Sequence, residues 1–188
     1  MGMPAIPTSG WTVEMLETLP DDGKRYEIID GELLVTPSPV RLHQRAVGEL
    51  LTALRTYVKT IGGLEALDSP ADIRVDRHTS VQPDVFVVRM GGDDTDREWP
   101  SVGSLVLAVE VVSASSARAD RHQKRRLYQR ERVAEYWVVD LDSRMVERWR
   151  PDDERPEILD ERLEWRPDDA PDSLTIDLDN SFRSVFGD

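Results

Sequence analysis

Val47, Leu50, Leu51, Leu54, Tyr57, Val58 and Ile61 recur at the spacing of one helical face, which predicts an amphipathic helix over 40–61. Ser38-Pro39 supplies a start, a capping side chain followed by a proline at the first helical position, and Gly62-Gly63 supplies a stop. Upstream, apolar stretches at 26–29 and 32–35 flank Asp30-Gly31, a strong hairpin signal. A short helix over 13–19, capped by Thr12, ends at Pro20. Downstream, strands are expected at 72–75, 85–88 and 105–112. The last is apolar throughout except for Glu110, the pattern of a central strand covered on both faces. A serine-rich turn at 113–116 leads into a basic helix over 117–131. Strands at 135–140 and 145–150 follow, joined by Leu141-Asp142-Ser143, and edge strands are expected at 163–165 and 174–176. This order predicts an α/β or α+β sandwich: a mixed central β-sheet flanked by helices, an N-terminal hairpin and a C-terminal β-extension. The length of 188 residues suits one domain, with a core over about 12–150 and an acidic extension over 151–188.

Composition narrows the chemistry. The absence of cysteine excludes disulfides, thiolate catalysis and cysteine-based zinc sites. No apolar run reaches the roughly 18–20 residues that span a bilayer. Residues 1–10 lack the charged and apolar regions of a secretory signal, and Gly2 lacks a myristoylation context. The expectation is a soluble, cytoplasmic protein with no membrane partner. A net charge of −13 argues at first against nucleic-acid binding. That charge is uneven, however. Residues 151–188 carry 13 Asp and Glu against 4 Arg, and 91–100 reads as an exposed acidic loop, whereas 118–132 holds seven Lys or Arg.

Two carboxylates stand out because they occupy apolar segments. Asp84 opens the strand 85–88 behind Gln82-Pro83, and Glu110 interrupts 105–112. Ionised carboxylates are rarely buried unless paired or bound to metal. On a helix over 117–131, the stripe through Ala117, Lys124, Leu127 and Tyr128 faces the sheet, so Lys124 points inward and needs an anionic partner such as Glu110. Asp120 either holds Lys124 in position or forms an exposed i,i+4 pair. Mg²⁺, or Mn²⁺ in its place, takes oxygen ligands that Asp84, Glu110 and the Val111 carbonyl can supply. The plainer alternatives are arginine-paired carboxylates and a Lys124 that only packs its stem. His43 shares a side with Val47, Leu50 and Leu54 near an open end of the fold. Glu27 sits between apolar neighbours in the first hairpin strand, and Tyr136 and Trp137 read as packing residues. Gln82 is a candidate substrate contact, and Arg118, Arg121, Arg125 and Arg126 are candidate contacts to a phosphate backbone.

The chain carries an ordered set of segments. These are Tyr26-Glu27-Ile28-Ile29-Asp30-Gly31-Glu32, Pro37-Ser38-Pro39 with His43, Gln82-Pro83-Asp84-Val85 and Val109-Glu110-Val111-Val112-Ser113. Asp120, Lys124 and Tyr128 follow, then Glu135-Tyr136-Trp137-Val138-Val139-Asp140. Together they resemble the Uma2 family of restriction endonucleases, formerly DUF820, over roughly residues 12–185. The resemblance implies a PD-(D/E)XK nuclease-like core with Asp84 and Glu110 as metal carboxylates. In the commonest form of that motif a Lys lies two residues after the Glu, where this chain has Val112. The family is similar to nucleases whose Lys has moved to the following helix, the role that Lys124 fits. Glu27 and His43 match recurrent family positions and would complete the pocket.

The leading reading is a Mg²⁺-dependent endonuclease acting on DNA. Asp84 and Glu110 hold the metal, Lys124 assists the attacking water, and Glu27 and His43 shape the site. The alternatives are a catalytically silent binding module with the same fold, and a metal hydrolase of small phosphate esters. Trp149 and Trp165 read as exposed aromatics that hint at a homodimer.

Overall fold

The computed structural model describes residues 10–91, 101–168 and 170–188; the N-terminal stretch 1–10 and the expected acidic loop at 91–100 lie almost wholly outside them. A first short helix, α1 (Val13–Leu16), is followed by the hairpin β1 (Arg25–Ile29) and β2 (Glu32–Thr36). Asp30 and Gly31 both have positive φ, 50° and 80°, and Ile29 pairs with Glu32 across them. A two-residue turn of this kind matches the twist of its strands.

Helix α2 (Arg41–Ile61) buries the face expected of it, and the Gly62 N–H closes it on the Val58 carbonyl. Its start differs from expectation. Ser38 does not cap it; the Ser38 hydroxyl donates to the Gly23 carbonyl and ties this loop to the turn before β1. Pro37 and Pro39 bias Thr36 and Ser38 to extended backbone, and Val40 is extended too, with ψ at 161°, so the helix begins only at Arg41.

Beyond α2 come β3 (Leu64–Asp68), β4 (Ile73–Asp76), β5 (Thr79–Val81), β6 (Val85–Arg89) and β7 (Leu105–Val112). A π-helical segment, Ala119–Lys124, then runs into α3 (Arg125–Arg130). The chain continues through β8 (Glu135–Asp140), β9 (Met145–Trp149), β10 (Glu157–Leu159), β11 (Arg162–Trp165), β12 (Leu174–Asp177) and α4 (Leu178–Phe186). Strands β3, β5 and β10 and helix α4 were not anticipated. The three strands are short and lack a clear alternation of apolar and polar residues. Helix α4 does carry a start signal, because the Asp177 side chain accepts from the Asn180 N–H at 2.9 Å.

The central sheet has the order β10-β9-β8-β7-β6-β3, and a second sheet has the order β2-β1-β5-β4. Among the described residues β7 and β8 form the one parallel pair; their crossover is the helical segment 119–130. The expected mixed central sheet flanked by helices, with its N-terminal hairpin and C-terminal strands, is therefore observed. Apolar layers cover both of its faces. Leu54, Tyr57, Trp137, Trp165 and Phe182 lie in one layer, and Ile29, Ile73, Phe86, Leu127, Tyr128 and Tyr136 in the other. Side chains alternate along β7, so Glu110 shares the face of Ala108, toward α3 and the second sheet.

Trp149 and Trp165 are 8% and 1% exposed, which overturns their reading as surface aromatics and removes the basis for a dimer argued from them. Trp165 packs edge-on against Tyr57 and Trp137, with ring centroids 5.7 and 6.0 Å away. The acidic extension 151–188 accordingly contributes to the core. Its Leu163, Trp165, Ile176, Phe182 and Val185 are buried in the same core as α2. No helix among the described residues is long and apolar enough to cross a membrane. Trp165→Ala is expected to lower the unfolding free energy by about 3–5 kcal/mol, read as a fall in the urea midpoint. Ile158→Ala, at a side chain 51% exposed, should stay within about 0.5 kcal/mol.

Candidate active site

The site forms where one strand ends before its neighbour does. Val85, the first residue of β6, pairs with Val109, so the β7 edge beyond Val109 has no strand beside it. Asp84 fills the gap. Its Oδ2 accepts the Val111 N–H at 2.8 Å. A strand residue projects its N–H and C=O to the same edge, so the Val111 carbonyl lies on this edge too. The Asp84 backbone is held from behind: its carbonyl accepts the Ser69 N–H, and the Ser69 hydroxyl donates to the Pro83 carbonyl at 2.6 Å.

Three other elements bring side chains to this edge. His43, near the start of α2, places Nε2 3.0 Å from Asp84 Oδ2. Arg25, the first residue of β1, donates to Asp84 Oδ1 at 2.7 Å and to the Gln82 carbonyl at 3.0 Å. Its Nη1 is 3.9 Å from Glu110 Oε2. Glu27 lies two residues further along the same face of β1; its Oε1 accepts the Gln82 N–H at 2.7 Å. Lys124 Nζ then joins the pieces, 2.8 Å from Glu27 Oε1, 2.8 Å from Glu110 Oε1 and 3.6 Å from Asp120 Oδ1. Asp120 and Lys124 share the π-helical segment, in which the Arg125 N–H reaches back to the Asp120 carbonyl. Such wide turns re-aim side chains and recur at functional sites. Asp120 is buried, so it braces Lys124 rather than forming an exposed surface pair.

A pocket of about 80 Å³ opens onto Arg25, His43, Asp84, Glu110, Asp120 and Lys124, with the 36–40 loop at its rim. Glu27, Asp84, Glu110 and Asp120 supply four carboxylates against two permanent cations, Arg25 and Lys124. Fully ionised, the cluster carries two excess negative charges. Their distribution is uneven. Burial pushes the Asp84 carboxyl up, but the His43 hydrogen bond and the Arg25 charge outweigh it and hold it down at about 2. Burial raises Glu110 well above the usual carboxylate range, because the Lys124 ammonium it leans on is shared and Asp84, Asp120 and Glu27 repel its charge. Burial raises Asp120 as well. Burial alone would lower Lys124, yet Glu110, Glu27 and Asp120 together raise it, so its ammonium persists at neutral pH. Two buried polar atoms at the site have no hydrogen-bond partner: His43 Nδ1 and Asp120 Oδ1.

The arginines expected to contact phosphate lie elsewhere. Arg121 binds Asp140 at 2.6 Å and Glu147 at 2.5 Å, and Arg125 stacks over the Trp149 ring at 4.8 Å. Arg118 and Arg126 are exposed on the helix. The Gln82 side chain donates to Asp72, and only its backbone braces the site. Arg25 was missed by sequence reasoning, although its offset of two from Glu27 on a strand carried the signal.

The family model described as "putative restriction endonuclease", Uma2, matches residues 13–179, nearly all of the described fold. The chain belongs to the Uma2 family. A solved structure described as a putative nuclease belonging to DUF820, from Anabaena variabilis, is similar with a TM-score of 0.76 at 17% identity. The match covers 93% of this chain and 99% of that one, and it establishes a shared fold. No curated protein matches the chain. Within this Uma2 chain Lys124 is the shared cation of three buried carboxylates. Lys124→Ala leaves Glu27, Glu110 and Asp120 buried without their cation, and should destabilise the fold by about 3–5 kcal/mol at pH 7. Protonation of Glu110 and Asp120, both raised, relieves that repulsion, so the deficit should shrink as pH falls below neutrality. Urea unfolding of both proteins across pH checks this.

Proposed function

We propose that this Uma2 protein is a Mg²⁺-dependent endonuclease that hydrolyses DNA phosphodiester bonds. The observation that carries the reading is the meeting of Asp84, Glu110 and the Val111 edge with a buried Lys124 contributed by the next helix. The family description supports the reaction class. Among the described residues no group of three or more His, Cys, Asp and Glu side chains stands ready to hold a metal ion by itself. Mg²⁺ does not require one. It is held by one or two carboxylates together with waters and substrate phosphate oxygens, and Asp84, Glu110 and the Val111 carbonyl form such a hard-oxygen set. The two excess negative charges of the cluster match a divalent ion. When bound, the ion supplies Lewis acidity at a phosphate oxygen and lowers the pKa of a water.

The chain's own residues divide the remaining work. Lys124 keeps its proton, so it acts as a fixed positive hydrogen-bond donor to the attacking oxygen and to charge developing on phosphate. Glu27 locks that ammonium to the Gln82 backbone and so positions it. His43 meets Asp84 through Nε2, and its Nδ1 is buried at the site without a hydrogen-bond partner. Water adds to phosphorus and one bridging P–O bond breaks, with the proton passing to solvent or to the leaving oxygen. The exposed Arg118 and Arg126 offer backbone contacts on an otherwise acidic molecule.

A second reading, a silent binding module of nuclease fold, draws support from Arg25, which already neutralises Asp84. Nicking of supercoiled plasmid decides between them. The wild type should nick with Mg²⁺ or Mn²⁺, and Asp84→Ala, Glu110→Ala and Lys124→Ala should each lose at least about a hundredfold in rate. Equal nicking by all four proteins would expose a contaminant and sink the assignment. Calorimetry tests the metal directly. Glu110 is raised, so the ion and a proton compete for it, and Mn²⁺ affinity should rise with pH, with proton release seen as a buffer-dependent enthalpy.

A further inference from the structure

The carboxylate oxygens at the site are not equivalent. Asp84 Oδ2 is taken by the Val111 N–H and faces His43, and Glu110 Oε1 is taken by Lys124. Asp84 Oδ1 and Glu110 Oε2 are left for an incoming cation. Both lie against one side chain: Arg25 Nη2 is 2.7 Å from Asp84 Oδ1, and Arg25 Nη1 is 3.9 Å from Glu110 Oε2. We propose that Arg25 and a divalent cation compete for these two oxygens, so that loading the metal requires the Arg25 guanidinium to leave them. The inference rests on the metal reading above and adds to it a residue that sets when the metal can enter.

The surroundings fit a group that moves. Arg25 is the first residue of β1, its side chain is 18% exposed, and Lys24 before it is exposed. Lys124, by contrast, is enclosed by three carboxylates and is 3% exposed, so the cation that yields is Arg25. A guanidinium does not lose its proton in a protein, so it can leave a carboxylate only by swinging away. Two positive charges cannot share Asp84 Oδ1 at ligand distance, since like charges a few ångströms apart repel by several kcal/mol outside bulk water. The contact to the Gln82 carbonyl fixes the blocking position without closing the pocket over it.

Arginine-specific modification reads the exchange directly. The wild-type protein is treated with phenylglyoxal with and without saturating Mg²⁺, at matched ionic strength, and modified residues are mapped by mass spectrometry. Arg25 should react several-fold faster with Mg²⁺, whereas Arg121, held by Asp140 and Glu147, should not change. Calorimetry with Mn²⁺ gives the second arm. Arg25→Gln removes the competitor, and its Kd should fall about tenfold or more below that of the wild type. Mn²⁺ binding with unchanged Arg25 reactivity overturns the competition and leaves the metal reading standing. Mn²⁺ binding by neither protein overturns both. Wild-type mapping needs no substitution, so a poorly folded Arg25→Gln does not decide the outcome.

Discussion

One buried ammonium joins the three parts of this fold. Lys124 comes from the helical crossover, Glu27 from the second sheet and Glu110 from the centre of the main sheet, and their charges meet within 2.8 Å. A buried charge is costly unless its partners are in place, and a partly satisfied network is worse than an apolar core. The relative placement of the two sheets and the crossover is therefore constrained by a polar contact as well as by packing. The constraint is specific: an apolar residue at position 124 would leave three acids facing one another.

The second constraint is geometric. Strand β6 begins at Val85 while β7 runs on to Val112, which leaves backbone groups of β7 exposed at the end of the sheet. A polar edge inside a protein must be satisfied, and here the Asp84 side chain satisfies it through the Val111 N–H. The same step in the sheet makes room for a pocket. The carboxylate that repairs the edge also presents its other oxygen outward, so structural repair and the candidate site are one feature.

The charge of the molecule reads differently once it is folded. A net charge of −13 spreads over the surface, yet the segment 151–188, which contributes most to it, also buries Leu163, Trp165 and Phe182 in the core. The basic helix does not form a uniform positive face either, because Arg121 and Arg125 turn toward acidic and aromatic partners of the central sheet. Within the pocket the excess is again acidic, and it is concentrated where Arg25 and Lys124 only partly offset it.

Much of this was legible in the residue pattern because the relevant signals are local. The amphipathic stripe of α2, the Asp30-Gly31 turn and the unbroken run of β7 follow from spacing and backbone preference, and each formed close to where it was expected. Asp84, Glu110 and Lys124 were legible for a related reason: a charge inside an apolar stretch announces that something must compensate it. What compensates it is a long-range matter. That Arg25 covers Asp84 from 59 positions away depends on how two sheets stack. Tertiary packing, not local pattern, decided that Trp165 is core, that Arg121 faces Asp140 and that Ser38 serves a loop instead of a helix. The sequence by itself determined which groups need partners; only the fold decided who those partners are, because a chain specifies its local backbone by neighbours a few residues away and its charge pairs by segments brought together from afar.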